Sequence, residues 1–270
     1  TNMVLDAVMV AVLRLGVEGA AIATVFARFA EMATVLIWTH ARKKKKHQFL
    51  LGAYSTMLVP KADAKKITVK GLPIFFNEFL WAGGIAALTQ CYSTKGLEIV
   101  AGLNISNAIC NLLNVVFVAL GNAVGIVIGQ LLGAKDYDTA KKYSFRLMWF
   151  TGIISGGLTV ILIALSGVFP MFYDTSETVR SYGQWFIIIS ALFFPVQGFL
   201  NALYFTLRSG GKTMITFLFD SVYSWVVTLP IALVLCNFTP LPILAVYAIV
   251  QSADFIKVVI GSILIKKGVW

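Results

Sequence analysis

Long apolar stretches alternate with short polar segments along the whole chain. The complete stretches are long enough for an α-helix, rising about 1.5 Å per residue, to cross the roughly 30 Å hydrocarbon core of a bilayer. They lie at residues 1–13, 19–39, 71–94, 97–132, 143–166, 184–207, 213–236 and 243–265, and the first of them is short. The pattern therefore predicts an all-α polytopic membrane protein with seven complete spans and one partial span at its start.

The composition is typical of a protein that lies in lipid. Of the 270 residues, 59% are hydrophobic and 13% are charged, whereas about 25% of residues are charged in an average soluble domain. The net charge of +10 comes from segments between the spans, where basic residues commonly contact anionic lipid. No basic stripe is interleaved with aromatic residues, so we expect membrane lipid, and no nucleic acid, as a partner.

Basic residues are distributed unevenly between the two sides of the predicted bundle. The separators on one side hold 17 lysines and arginines, the alternating separators hold 3, and Arg28 and Lys257 lie inside spans. In membrane proteins the cytoplasmic loops carry the excess of positive charge. We therefore expect a multi-pass protein of the inner or plasma membrane with a cytoplasmic C-terminus.

A long basic stretch at residues 40–70 divides the chain. We interpret it as a cytoplasmic linker that carries a short surface helix over its apolar part, from Phe49 to Val59. It separates two spans at residues 1–39, the first of them cut short, from a bundle of six spans at residues 71–267. The sequence thus predicts two helical lobes, of which the second is whole.

The segments at residues 1–46 and 215–267 share a layout. Asp6 and Asp220 each lie near the cytoplasmic end of one span, and Glu31 and Asp254 lie near the middle of the next span, before a basic exit. Both pairs of spans run in the same direction, which predicts a parallel repeat. Parallel repeats occur in transporters that bind their substrate between two halves.

Acidic and amide side chains inside the spans are the candidate functional residues. Glu78 lies inside an apolar span next to Asn77, although a charged side chain at the membrane centre costs roughly 3 kcal/mol. Asp220 lies at a similar predicted depth, and Gln197 and Asn201 approach that depth from the preceding span, one helical turn apart. These groups could converge on one polar site. A purely structural hydrogen-bonding role for Glu78 and Asp220 is the alternative.

Two further acids inside spans have a basic residue three positions away. Arg28 precedes Glu31, and Lys257 follows Asp254. Residues three positions apart are neighbours on a helix surface. Each acid can therefore be neutralised within its own helix, and we predict a structural role for both pairs.

The span that begins at residue 97 carries one stripe of polar residues and one stripe of small residues. One face holds asparagines, which either pack against another helix or line a hydrated cavity: Asn104, Asn107, Asn111 and Asn114. Glycines then recur at every fourth position and predict close approach of a neighbouring helix: Gly121, Gly125, Gly129 and Gly133.

No pattern typical of an enzyme stands out. Residues 210–213 read Gly-Gly-Lys-Thr but lack the preceding glycine and strand of a phosphate-binding loop, so we interpret them as a tight turn. His40 and His47 lie among lysines, where like charge opposes a metal ion. The cysteines have no paired spacing and are interpreted as small core residues.

Several segments resemble the MATE family, the multidrug and toxic compound extrusion transporters. The resemblance lies in residues 72–81 with Glu78, in residues 124–142, in residues 195–213, and in Asp220, Trp225 and Pro230. The opening Asn2 and Asp6, followed by residues 16–24, resemble the end of the first lobe of that family.

This resemblance implies a two-lobed antiporter of twelve helices, of which the chain would supply the last two helices of the first lobe and the whole second lobe. Glu78 matches a coupling-ion and substrate residue of sodium-linked members, and Asn2 and Asp6 match part of a first-lobe cation site. Gln197 stands where some sodium-coupled members have Asp, which leaves both H⁺ and Na⁺ open as the coupling ion. We expect no cofactor, no metal beyond Na⁺ at Glu78 or Asp6, and a monomer when full length.

The expected function is secondary active efflux of cationic or amphipathic toxins by alternating access, with Glu78, helped by Asp220 and Asn201, holding the coupling ion. One alternative is a flippase for lipid-linked oligosaccharides, which would need a strongly cationic cavity. Another is a membrane scaffold that transports nothing and would tolerate apolar replacement of its intramembrane acids.

Overall fold

The computed structural model describes residues 2–41, 59–211 and 213–269, and every regular element in these ranges is helical. The α-helices are α1 (Asn2–Asp6), α2 (Gly16–Ala41), α3 (Lys61–Ser93), α4 (Leu97–Gly133), α5 (Tyr137–Ser166), α6 (Glu177–Ser209), α7 (Thr213–Phe217), α8 (Leu229–Phe238), α9 (Ile243–Ser252) and α10 (Asp254–Lys266). Three π-helical segments lie at Ala7–Val12, Leu218–Val222 and Ser224–Thr228, and a 3-10 turn lies at Phe169–Phe172.

Seven helical segments in the described ranges are long and apolar enough to cross a membrane. Five are single helices, α2 to α6. The other two are composite, because Thr213–Phe238 joins α7, two π-helical segments and α8, while Ile243–Lys266 joins α9 and α10. The predicted all-α polytopic membrane protein with seven complete spans is confirmed.

Several helices begin earlier than their apolar runs predict. α3 begins at Lys61, so the last part of the stretch predicted as a linker is helical; its alanines and lysines favour a helix. α5 and α6 begin in polar residues whose first turns are capped by Asp136 and Ser176, which accept hydrogen bonds from the N–H groups of Thr139 and Val179. Hydropathy finds the part of a helix that lies in lipid and misses its polar turns.

The chain divides into two units, of which the first ends at Lys65 and the second begins at Lys66. In the first unit, α1 and the π-helical segment that follows it pack against α2. The predicted pair within α2 is confirmed, since Arg28 Nη1 lies 2.7 Å from Glu31 Oε2. The surface helix predicted over residues 49–59 falls almost wholly outside the described residues.

In the second unit, α6 is the central helix. It packs against α4 and α5 on one side and contacts α7, α9 and α10 on the other. Its buried residues take part in three apolar clusters along its length, with Phe186, Ile187 and Leu203 as one member of each. Five of the other helices in this unit therefore pack directly against α6.

Close packing around α6 depends on small residues, as expected where lipid supplies no hydrophobic force between helices. A Cβ atom on Gly121 would clash with Asn201 Oδ1, and one on Gly198 would clash with Ser155 Oγ. The predicted glycine face of α4 is confirmed over most of its length, but Gly133 at its end has nothing within 4 Å.

We predict that Gly121→Ala lowers the stability of the second unit by about 1–3 kcal/mol, because the added methyl group overpacks the contact with Asn201 and Phe205. Gly129→Ala is the matched control on the same face. Its Cβ would lie 3.8 Å from Ser209, an ordinary contact, so its melting temperature should equal or exceed that of the wild type. Thermal unfolding in detergent measures both; equal melting temperatures for the two variants would contradict the prediction.

Candidate functional site

A cleft of about 570 Å³ opens in the second unit. Its walls come from α3, α4, α6, α9, α10 and the π-helical part of the span Thr213–Phe238. Seven of the residues predicted from the sequence to form a site or line a cavity line this cleft: Asn77, Glu78, Asn107, Asn114, Gln197, Asn201 and Asp220. The predicted convergence of polar groups from separate spans is therefore present in the structure.

Asn77 is the most connected side chain of the cleft and is 3% exposed. Its Nδ2 donates to the hydroxyl of Tyr204 (3.3 Å) and to Asp220 Oδ2 (3.4 Å). Its Oδ1 and backbone carbonyl both accept from Ser221 Oγ at 2.8 Å. One amide thus ties α3 to α6 and to the π-helical segment Leu218–Val222.

α3 is held against the span Thr213–Phe238 by a second contact. Trp225 donates its indole N–H to the backbone carbonyl of Leu80 at 2.9 Å. The indole ring lies against Gly83 and Gly84, where a Cβ would be 3.4–3.5 Å away. This contact fixes the part of α3 that carries Asn77 and Glu78.

Asp220 lies in the π-helical segment Leu218–Val222 and forms an ion pair there. Lys257 Nζ lies 2.7 Å from Asp220 Oδ1, and the two side chains are 11% and 19% exposed. The ammonium of Lys257 also lies 5.6 Å and 5.8 Å from the ring centroids of Phe219 and Tyr223, within the range of cation–π attraction. π-Helical turns inside transmembrane helices often mark functional sites.

This ion pair corrects the prediction that Lys257 neutralises Asp254 within its own helix. Lys257 binds Asp220 from another span, and Asp254 Oδ2 instead accepts from Gln197 Nε2 at 2.6 Å. The spacing of two residues along a helix shows that they are neighbours on that helix. It does not show whether a residue on a facing helix lies closer. Asp254 therefore lines the cleft with an amide, and not a cation, as its hydrogen-bond partner.

Glu78 has a looser environment. Its Oε1 lies 3.8 Å from Arg208 Nη1, and the two side chains are 58% and 38% exposed. Arg208 donates to the hydroxyl of Tyr204 one turn earlier at 3.2 Å. An exposed pair at this distance contributes little to stability, so the Glu78 carboxylate is available to a ligand in the cleft.

The amides of α4 and α6 have different surroundings. Asn201 Oδ1 is buried and has no hydrogen-bond donor among the described residues. Asn107 and Asn114 line the cleft, whereas Asn104 and Asn111 are exposed outside it. Two of the four asparagines in this stripe therefore line the cleft.

Sequence reasoning missed Arg208, Tyr204 and the cross-helix role of Lys257. Arg208 comes just after the apolar run at residues 184–207 and is one of the 17 basic residues assigned to separators on one side, yet it lies in the last turn of α6. Its spacing of four from Tyr204 was the available signal, since such residues are neighbours on a helix.

Asn2 and Asp6 lie in the first unit. Asn2 is exposed and lines a small hollow together with Arg28, Glu31 and Thr34. Asp6 Oδ1 is buried without a hydrogen-bond donor among the described residues. No group of three or more His, Cys, Asp or Glu side chains in the described ranges could hold a metal ion.

Comparison with known families identifies the chain. The family model described as MatE matches residues 73–234, well over half of the chain. The chain belongs to the MATE family. The matched region contains most of the cleft and all of α4, α5 and α6.

Relatives of the chain carry names that place them among multidrug resistance proteins. The chain is 24% identical over 236 residues to a probable multidrug resistance protein YoeA of Bacillus subtilis, which covers 87% of this chain and 50% of that protein. It is 27% identical over 177 residues to a probable multidrug resistance protein NorM of Halalkalibacterium halodurans, covering 66% of this chain and 39% of the relative. The chain spans about half the length, or less, of these MATE relatives.

Solved MATE structures share the fold. A MOP superfamily transporter from Pyrococcus furiosus, whose binding pocket is described as having reverse polarity, aligns with a TM-score of 0.85 and 16% identity over 99% of this chain and 60% of that one. A MATE transporter in the straight conformation aligns with a TM-score of 0.84 and 16% identity, with the same coverage. At these identities the likeness concerns the fold alone.

We predict that removing one partner of the Asp220–Lys257 pair is more damaging than removing both. Lys257→Met leaves an uncompensated carboxylate among apolar neighbours, which costs about 3–5 kcal/mol. The double variant with Asp220→Asn removes both charges and should recover much of that loss. Melting temperatures of the two single variants and the double variant in detergent provide the measurement, and strictly additive losses would contradict a direct pair.

Proposed function

We propose that the gene product is a secondary active efflux transporter that exports organic cations or amphipathic toxins in exchange for H⁺ or Na⁺ by alternating access. The names of its relatives support multidrug efflux as the activity. The proposal includes a two-lobed monomer in the cell membrane with its C-terminus in the cytoplasm, in which this chain supplies the second lobe and the last two helices of the first.

The observation that carries the proposal is the charge of the cleft. Its acidic side chains outnumber its basic ones, with Glu78, Asp220 and Asp254 against Arg208 and Lys257. The surrounding helices are apolar, so this negative excess is weakly screened and attracts a cationic ligand. A cleft of about 570 Å³ also has the size that suits a drug-like molecule.

The same charge argues against a flippase for lipid-linked oligosaccharides. A pyrophosphate carrier needs an excess of cations, whereas each cation of this cleft lies next to a carboxylate. The fold alone does not decide between these functions, because the Pyrococcus furiosus transporter of this fold is described as having a pocket of reverse polarity that suggests a different function.

Within this proposal, Glu78 is the residue that couples ion and substrate. Its carboxylate is exposed in the cleft and only loosely paired with Arg208, so it can exchange H⁺ or Na⁺ without breaking a buried network. Asp220 and Asn201 line the same cleft, and Asp220 acts through its pair with Lys257. The cation site predicted at Asn2 and Asp6 stays a prediction.

We predict that Glu78→Gln in the complete gene product abolishes ethidium efflux from cells, because glutamine keeps the shape of the side chain but cannot bind an ion by charge. Expression and membrane insertion should be unchanged, since Glu78 makes only one weak contact with a charged partner. Ethidium fluorescence in energised cells gives the rate.

Glu98→Gln is the matched control, since Glu98 is an exposed acid in the first turn of α4 that does not line the cleft. It should export ethidium at the wild-type rate. Normal efflux by the Glu78→Gln protein at equal expression would exclude Glu78 as the coupling residue.

A further inference from the structure

We propose that the carboxylate of Asp254 is the counter-ion that binds the positive charge of an organic cation in the cleft. This inference rests on the proposed function and names the substrate-binding residue within it. Sequence spacing alone had assigned Asp254 a structural role beside Lys257.

The three carboxylates of the cleft differ in how their charge is compensated. Asp220 has the ammonium of Lys257 at 2.7 Å, and Glu78 has the guanidinium of Arg208 at 3.8 Å. Asp254 has no cationic group within 4.0 Å among the described residues. Asp254 is therefore the carboxyl group of the cleft that has no ion pair among the described residues, although the positive charge of Lys257 acts on it from beyond this distance.

The neighbours of Asp254 on α6 do not compensate its charge. Gln197 donates one N–H to Oδ2 at 2.6 Å, and a neutral amide orients a carboxylate without cancelling its charge. One turn along α6, Asn201 Oδ1 is a buried acceptor with no donor among the described residues. Neither amide supplies a positive charge that would compensate the carboxyl group of Asp254.

Lys257 is held away from Asp254 by its other contacts. Its ammonium lies 2.7 Å from Asp220 Oδ1 and over the rings of Phe219 and Tyr223. If it moved to Asp254, Asp220 would keep its charge with Asn77 as its remaining hydrogen-bond donor. An uncompensated buried carboxylate is costly, so Lys257 keeps its ion pair with Asp220, and the hydrogen-bond partner of Asp254 is the neutral amide of Gln197.

The walls of the cleft suit a cation that carries aromatic or aliphatic groups. Trp81, Tyr92 and Phe205 line it together with Asp254. Aromatic faces attract organic cations and bury their apolar groups. The ligand class is therefore a bulky organic monocation and not a small hydrated ion.

The test uses the complete gene product, purified in detergent, and two probes of similar aromatic content. Tetraphenylphosphonium carries a fixed positive charge at every pH, and triphenylphosphine oxide is neutral. We expect Asp254→Asn to weaken tetraphenylphosphonium binding about tenfold, the effect of losing roughly one charge contact, and to leave binding of the neutral probe unchanged. Asp174→Asn, which neutralises an exposed acid outside the cleft, should bind both probes as the wild type does.

A second variant separates a binding role from a structural one. Because Gln197 contacts Asp254 directly, Gln197→Asp combined with Asp254→Asn moves the carboxylate across one hydrogen bond. This double variant should regain cation binding to within about threefold of the wild type.

Three outcomes would overturn the inference. If Asp254→Asn binds tetraphenylphosphonium with wild-type affinity, Asp254 is not the counter-ion. If that variant loses affinity equally for both probes and the double variant does not recover it, the role of Asp254 is structural. Unchanged cation binding with loss of ion-driven transport would assign Asp254 to the coupling ion. Failure of the wild-type protein to bind or transport either probe would instead reject the proposed function.

Discussion

The structure of the second unit depends on how it holds acidic and basic side chains inside an apolar helical bundle. Lys257 and Asp220 form an ion pair at 2.7 Å, in which each side chain compensates the charge of the other and both are largely buried. Such a pair gains little over two apolar side chains, because removing both ions from water costs about as much as their attraction returns. Its value is positional, since Asn77 joins it to α3 and α6 and thereby fixes the geometry of the cleft.

The packing around α6 serves the same end. Gly121 and Gly198 let α4 and α5 approach this helix closely on one side, while Gln197 and Asn201 face the cleft. A helix held this tightly presents its polar side chains at fixed positions. The irregular elements are the π-helical turns around Asp220, where hydrogen bonding departs from the regular α pattern.

Much of this architecture could be predicted from the sequence, because burial in lipid forces a simple pattern. The spans, the glycine face of α4 and the convergence of Glu78, Asp220, Gln197 and Asn201 follow from hydropathy, spacing and depth. The choice of ionic partner could not be predicted. Lys257 is three residues from Asp254 yet binds Asp220. Contacts between helices depend on the rotation and tilt of each helix, which cannot be read from the spacing of residues in one sequence.

The beginnings of helices show the same limit. Hydropathy placed the start of α3 at Gly71, whereas the helix extends back to Lys61 through a polar segment that lies beyond the apolar run. Arg208 was assigned to a loop for a similar reason, although it lies in α6 and lines the cleft. Sequence patterns predict whether a segment lies in lipid better than they predict which residue a side chain contacts.

The proposed function is the exchange of an organic cation for H⁺ or Na⁺ through a cleft in which acidic side chains outnumber basic ones. Uptake of tetraphenylphosphonium into proteoliposomes that contain the complete gene product tests this claim, with an outward or inward gradient of H⁺ or Na⁺ imposed separately at zero membrane potential. Accumulation that requires one of these gradients, and reverses when the gradient is reversed, is the predicted result. Movement of the cation that is independent of both gradients, or equal to that in protein-free liposomes, would contradict it.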